Sequence, residues 1–178
     1  MVHYGHYVFR APTPLSVIEP GVDTYTGNAI FLEGHRQNSA MFAEQRQSAG
    51  LTRFSSLTPS FLALVLAPLF IILIGYGSVS REREAGTLTL LLSQGTTRWQ
   101  LLLGKLLALI TASSLFLLPL LLACLYVAFS NESALVVILF CLSYVVYFLL
   151  WATVVTACSA IFEKSSVSFT VLVVIWMS

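Results

Sequence analysis

The stretch that follows Lys105 reads LLALITASSLFLLPLLLACLYVAF, residues 106–129, and it contains no charged residue. A helix needs about 20 predominantly apolar residues to cross the hydrocarbon core of a bilayer, which is about 30 Å thick. Lipid offers no partners for backbone N–H and C=O groups, so a single segment of this kind can cross only as a helix. We therefore predict that residues 106–129 form a transmembrane helix.

Similar uncharged stretches lie on both sides of this segment. We predict spans at residues 60–79 and 134–162, the second of which must tilt, and a truncated span at 167–178. Charged residues make up 10% of the 178 residues, whereas a soluble domain carries about 25%. The predicted fold is an all-α, polytopic helical membrane protein with three full spans and a truncated fourth. Because a chain that ends in mid-bilayer leaves carbonyl groups without partners, we expect the sequence to be a fragment.

Residues 1–58 are predicted to form a small extracytoplasmic segment, separate from a transmembrane domain at 59–178. The segment is rich in proline, glycine and charged residues, and it lacks the pattern of a signal peptide. A short helix is expected within residues 31–42. The residues considered for a metal site are His3, His6, His35, Asp23 and Glu33. Scattered histidines in an aqueous segment are usually surface residues, so we predict no metal site.

Basic residues in the short loops set the predicted orientation. Loop 80–105 carries four basic residues, loop 163–166 carries Lys164, and loop 130–133 carries none. The first and last of these loops are therefore predicted to be cytoplasmic, which places residues 1–58 outside the cytoplasm of a cell (inner) membrane protein. The balance of 9 basic and 8 acidic residues gives no reason to expect nucleic acid binding.

The cytoplasmic loop reads REREAGTLTLLLSQGTTRWQLLLGK, residues 81–105. The apolar residues that share one helical face are Ala85, Leu88, Leu91 and Leu92. Gly95 interrupts that helix, and Thr97 with Gln100 has the spacing of a capping box that opens a second helix. This pattern predicts a short amphipathic helix, a turn and a helix that returns to the membrane. Arg98 and Lys105 are predicted to anchor the returning helix at the lipid headgroups.

The same loop resembles the cytoplasmic connection of type-2 ABC exporter permeases. The resemblance rests on RERE at 81–84, GTL at 86–88, LLL at 90–92, Arg98 and LGK at 103–105. In that family the connection contains a coupling helix that docks on a separate ATPase subunit. The resemblance implies a coupling role for Arg81, Glu82, Arg83, Glu84, Gly86, Thr87, Leu88, Leu91 and Leu92. Glu82 and Glu84 would pair with basic residues of the ATPase or, alternatively, form a self-paired run of charges.

The N-terminal segment resembles the branch of this family that carries an extracytoplasmic domain between its first two spans. The residues concerned are HYG at 3–5 and EGHRQN at 33–38. This resemblance implies that a first span and about two later spans lie outside the present sequence. It also implies that the permease pairs with a second permease subunit as a homo- or heterodimer.

The sequence lacks a nucleotide-binding P-loop, because Gly104-Lys105 is followed by Leu106 rather than by serine or threonine. The resemblance therefore implies that ATP and Mg bind to the partner ATPase and that this chain is not an enzyme. Four serines in the predicted spans have no ionisable partner there and are expected to bond to carbonyls of their own helices: Ser113, Ser114, Ser143 and Ser159. An integral membrane enzyme is accordingly the least favoured function.

Helix packing is predicted where Ala152, Thr156 and Ala160 recur every four residues. Pro68 and Pro119 are predicted to kink their spans. The favoured function is a membrane-spanning permease subunit of an ABC transporter, with an ABC ATPase, a second permease subunit and the lipid bilayer as partners. The uncharged spans suit an amphipathic, lipid-linked or peptide-like cargo. A non-transporting membrane scaffold or assembly factor is the alternative.

Overall fold

A computed structural model describes residues 6–11, 13–21, 29–32, 40–41, 58–130 and 133–178. Near the N-terminus, strand β1 (His6–Phe9) pairs antiparallel with β2 (Ala29–Leu32), and β2 pairs antiparallel with β3 (Ala40–Met41). A short 3-10 helix, Pro14–Val17, lies between β1 and β2. Of residues 31–42, where a short helix is expected, 31–32 and 40–41 are strands, and the others lie outside the described residues. Ala29–Leu32 is a short apolar run with a β-branched residue, which suits a strand paired on both sides.

The helices then follow in chain order. Helix α1 comprises Pro59–Phe61, a π-helical turn at Leu62–Leu66 and Ala67–Gly75. After a turn at residues 76–79 come α2 (Ser80–Glu84), α3 (Thr87–Ser93), α4 (Arg98–Ala128), α5 (Ala134–Ile161) and α6 (Ser165–Met177).

Three of these helical stretches are long and apolar enough to cross a membrane: Pro59–Glu84, Arg98–Ala128 and Ala134–Ile161. Ser165–Met177 is apolar but shorter. The predicted spans fall on these helices, so the predicted polytopic helical membrane fold is confirmed. Helix α4 is longer than its predicted span because it includes the helix that returns to the membrane from the cytoplasmic loop.

Helix α1 lies at the centre of the bundle and contacts α4, α5 and α6. Gly75 allows this close approach, because a Cβ atom built there would lie 2.5 Å from Val155 Cγ1 and 2.8 Å from Leu109 Cδ1. On α5, Ala152 and Thr156 are buried and Ala160 is half-buried. Most other α4 and α5 side chains that face outward are apolar, as lipid contact requires.

The π-helical turn of α1 ends at Leu66, two residues before Pro68. Proline has no N–H to offer the carbonyl four residues earlier, here that of Leu64. The Tyr147 hydroxyl of α5 donates to the Leu64 carbonyl at 2.9 Å, and the Trp176 indole of α6 donates to the Val65 carbonyl at 3.2 Å. Tyr147 thus supplies a donor to the carbonyl that Pro68 cannot serve, and Trp176 adds a second hydrogen bond at the neighbouring carbonyl. Helix α4 continues through Pro119 as one helix.

The described part of residues 1–58 packs against the bundle. Ile18 is fully buried in the same apolar core as α1, and Leu15 packs against that core. The backbone N–H of Ser60 donates to the Ile18 carbonyl at 3.3 Å. The Tyr144 hydroxyl donates to Glu19 Oε2 at 3.4 Å. The N-terminal segment is therefore joined to the helices by both apolar and polar contacts.

Candidate functional site

The candidate site lies at one end of the bundle, around the loop 80–105. Helices α1 and α5 end there, and helices α4 and α6 begin there. At the turn between α1 and α2, the buried backbone N–H groups of Val79 and Ser80 donate to Ser159 Oγ at 2.9 and 3.2 Å. Ser159 belongs to α5, so this hydroxyl fixes the beginning of α2 to the end of α5. The Ser159 hydroxyl was expected to donate to a carbonyl of its own helix. The observed contacts are different: its oxygen accepts from two backbone N–H groups of the turn, which need an acceptor because they are buried.

The other three serines of that prediction do donate to carbonyls of their own helices. Ser113 Oγ donates to Ile110 O at 2.8 Å, Ser114 Oγ to Thr111 O at 2.6 Å and Ser143 Oγ to Phe140 O at 2.6 Å. They satisfy their hydroxyl groups within one helix and leave the packing between helices to apolar contacts.

Arg83 and Glu84 hold the turn between α5 and α6. Arg83 Nη2 donates to the Ala160 carbonyl at 2.7 Å, and Nη1 donates to the Phe162 carbonyl at 3.4 Å. Glu84 accepts from the backbone N–H of Ser165 at 3.1 Å and from the Ser165 hydroxyl at 2.8 Å. A cation thus meets the C-terminal end of α5 and an anion meets the N-terminal end of α6, as the helix dipoles favour.

Glu84 is the last residue of α2, beyond the apolar residues of α1, and it is exposed to solvent. The hydrogen bond from the Ser165 hydroxyl, together with that from the Ser165 backbone, lowers the pKa of the Glu84 carboxyl below its ordinary value. The charges of Lys164 and Arg81 act in the same direction. The carboxylate form is therefore the one that this contact stabilises.

The remaining two charges of RERE contact α4 and the end of α1. Glu82 Oε1 forms a salt bridge with Lys105 Nζ of α4. The Arg81 guanidinium lies over the Tyr76 ring, with Cζ 4.6 Å from the ring centroid, and donates to the Tyr76 hydroxyl. These contacts favour the alternative in which the charges pair within the chain. Lys105 pairs with Glu82 and the Arg98 side chain is exposed, and the anchoring of both residues at the lipid headgroups stays a prediction.

Glycine separates α2 from α3. Gly86 has φ +75°, a backbone conformation that favours glycine, so the helix predicted from Ala85 begins only at Thr87. Gly95, with φ +89°, lies in the turn between α3 and α4. The Thr87 hydroxyl donates to the Glu82 carbonyl at 3.1 Å. The predicted capping box is confirmed: Thr97 Oγ1 accepts from Gln100 N at 3.3 Å, and Gln100 Oε1 accepts from Thr97 N at 2.9 Å.

Helix α3 contains no buried residue. Leu88, Leu91 and Leu92 are half-buried, whereas the Leu90 side chain is 60% exposed. Leu88 and Leu92 help to line a cavity of about 340 Å³ between the loop and the bundle. The outward surface of α3 therefore consists mainly of Leu90 with its polar neighbours Thr89 and Ser93.

Ser159 and Tyr147 are structural positions that sequence reasoning missed. Ser159 lies three residues after Thr156 and therefore near the helical face of Ala152 and Thr156, which is a signal that could have indicated a packed position. Tyr147 carries no such local signal. Among the described residues, no group of three or more His, Cys, Asp or Glu side chains is placed to hold a metal. His3, Asp23, Glu33 and His35 lie outside those residues.

The sequence pattern of a family described as "ABC-2 family transporter protein" matches residues 19–178. No curated protein and no solved structure matches the chain. The family match covers most of the sequence and includes all of α1 to α6. It confirms the resemblance to ABC exporter permeases that the loop at 81–105 indicated. The chain therefore belongs to the ABC-2 transporter family and is a multi-pass membrane component of an ABC transporter.

Proposed function

We propose that the chain forms part of a translocation path and couples it to a separate ATPase subunit through residues 81–104. Permeases of this family work with ATPase partners in general. The observation that carries the proposal is the use of α2, whose four charged residues contact α4, α5, α6 and the end of α1. A displacement of α2 would therefore reach all the described spanning helices at once.

The proposal divides the loop into a docking element and a transmitting element. Helix α3 is the docking element, because it presents Leu90 to solvent while Leu88, Leu91 and Leu92 are half-buried. Helix α2 is the transmitting element, because Arg83 forms a hydrogen bond with the end of α5 and Glu84 forms one with the beginning of α6. Gly86 and Thr87 form the joint between them, and the Thr87–Glu82 hydrogen bond limits the freedom of that joint.

The remaining parts of the proposal follow the family. ATP and Mg bind to the ATPase partner, a second permease subunit completes the path as a homo- or heterodimer, and residues 1–58 lie outside the cytoplasm of a cell (inner) membrane. The basic residues of loop 80–105, which follows the first span, support this orientation. An amphipathic, lipid-linked or peptide-like cargo suits the apolar, uncharged spans.

Co-purification in mild detergent with a candidate ATPase tests the docking element. Leu90→Glu places a charge on the exposed face of α3 and should abolish retention of the ATPase. Leu32→Glu makes the same change at an exposed position on β2 and should leave retention unchanged. Equal retention by both variants would remove α3 from the interface. If the parent chain retains no ATPase at all, the result would contradict the permease function and favour the non-transporting scaffold.

The transmitting element is tested separately, by ATP-driven transport in reconstituted vesicles. Glu84→Gln weakens the contact with Ser165 but leaves Leu90 and α3 unchanged. We expect this variant to retain the ATPase while transport per ATP hydrolysed falls several-fold. Unchanged transport per ATP would show that the contact between α2 and α6 is only structural.

A further inference from the structure

The cavity beside α3 combines an apolar wall with two cations. It has a volume of about 340 Å³, which lies within the usual range of small-molecule sites. The apolar residues that line it are Val79, Leu88, Leu92, Leu101, Leu102 and Ala160. Arg83 and Arg98 complete the lining, and the described residues that line the cavity include no carboxylate. The cavity therefore has an uncompensated positive charge.

Both arginines have hydrogen-bonding capacity to spare. Arg83 uses its two terminal nitrogens to donate to carbonyls at the end of α5, and a guanidinium has five N–H donors. The carboxylates of α2 do not serve Arg98, because Glu82 pairs with Lys105 and Glu84 accepts from Ser165. A planar guanidinium pair of this kind matches the oxygens of a phosphate group.

The cavity lies at the end of the spanning helices. Val79 and Ala160 belong to the last turns of their apolar stretches, and Arg98 begins α4. Next to Arg98, the exposed residues Trp99, Leu103 and Leu107 recur every four residues and form an apolar stripe along α4. Tryptophan is enriched at the level of the lipid headgroups. The stripe lies on a different side of α4 from the cavity-lining Leu101 and Leu102, and Trp99 at its start indicates that the cavity lies near the level of the headgroups.

We propose that this cavity binds an anionic phospholipid of the cytoplasmic leaflet. The phosphate group lies between Arg83 and Arg98, and the upper part of an acyl chain lies against Leu101 and Leu102. A free phosphate ion would use the two arginines but none of the apolar wall, so the lining favours the lipid. The bound lipid would also touch Leu88 and Leu92 and so hold α3 against the bundle. The inference does not depend on the coupling function.

The test compares phosphatidylglycerol with phosphatidylcholine on the purified full chain in detergent, by native mass spectrometry and by the lipid-induced rise in Tm. We expect the parent to prefer phosphatidylglycerol about tenfold, because both lipids carry a phosphate group but phosphatidylcholine also brings a trimethylammonium cation close to the two arginines. Arg98→Gln should remove most of that preference. Lys164→Gln removes an exposed cation from the same end of the bundle, outside the cavity, and should retain it.

A second variant tests the apolar wall without changing the charge. Ala160→Leu places a larger side chain in the cavity and should weaken the binding of phosphatidylglycerol several-fold. Equal loss of preference in Arg98→Gln and Lys164→Gln would indicate general surface attraction and overturn the proposal. The proposal would also be overturned if inorganic phosphate, added without lipid, raised the Tm and if it displaced the bound lipid. A parent without lipid preference, whose Arg98→Gln variant loses a bound ATPase, would assign the cavity to an acidic segment of that partner and make the lipid proposal wrong.

Discussion

Gly75 shows how one missing side chain determines the distance between two helices. A Cβ atom at this position would overlap Val155 and Leu109, and the β-branched valine has little freedom to move away. We expect Gly75→Ala to lower the free energy of unfolding by about 1–3 kcal/mol. Gly104→Ala is the matched control, because nothing lies within 4 Å of the added Cβ, and alanine in an exposed helix stabilises by about 0.5–1 kcal/mol. Thermal unfolding in detergent would measure both, and equal Tm values would contradict the packing role.

Tyr147 supplies a hydrogen bond that Pro68 removes from α1. Tyr147→Phe keeps the ring but leaves the Leu64 carbonyl without its donor, and we expect a loss of about 1–2 kcal/mol in the free energy of unfolding. Tyr126→Phe removes the hydroxyl of a tyrosine that is 68% exposed and should have almost no effect. Denaturation in increasing fractions of a harsh detergent would compare the two. A matching loss in both variants would show that the Leu64 carbonyl does not need this partner.

These residues also show which contacts a sequence can predict. The capping box of Thr97 and Gln100 was predictable because both partners lie within one helical turn. The role of Ser159 was not, because its donors Val79 and Ser80 lie 80 and 79 residues away in the sequence. A hydroxyl in an apolar helix has the same local pattern whether it bonds to its own carbonyls or to another helix.

Helix α2 shows the same limit for a whole element. The run of charges at 81–84 was recognisable as a feature of the loop. The sequence could not show that Arg83 and Glu84 meet the ends of α5 and α6, because those ends come together only when the bundle forms. The amphipathic face of α3 was also ambiguous, because leucines on one side suit contact with a partner and contact with the chain's own helices equally well.

The contact between α2 and α6 predicts a particular dependence of stability on pH. The folded pKa of Glu84 lies below its ordinary value of 4.5, so the carboxylate contributes stability at pH values above 4.5. That contribution is lost as the pH falls from 4.5 through the lowered folded pKa. We expect Glu84→Gln to reduce the acid sensitivity of the Tm in this window, and Ser165→Ala to reduce it partly by removing one donor. Parallel pH profiles for the parent and Glu84→Gln would contradict this role of the carboxylate.

Across the chain as a whole, the number and position of the spans were predictable, while their arrangement was not. Long uncharged stretches require helices in lipid whatever their neighbours are. The three long spans are almost equally apolar, yet α1 is much more buried than α4 or α5. The order of the helices in space is instead decided by features such as Gly75 and by the partners of Leu64 and Ser159, which act between distant parts of the sequence.

The N-terminal segment provides a test of whether the chain folds as one unit. Sequence reasoning separated residues 1–58 from the spans, but Ile18 is fully buried in the core shared with α1 and α4. We expect Ile18→Ala to lower the free energy of unfolding of the helical bundle by about 2–4 kcal/mol, because it leaves a cavity in that core. Ile30→Ala, on strand β2 and 40% exposed, should change it by no more than about 0.5 kcal/mol. Helical circular dichroism during thermal unfolding would report on the bundle itself. If Ile18→Ala unfolds at the same temperature as Ile30→Ala, the N-terminal segment is only attached to the bundle. If the Tm of Ile18→Ala is lower, the segment and the spans unfold together, because a side chain that precedes the first span then stabilises the helices of the bundle.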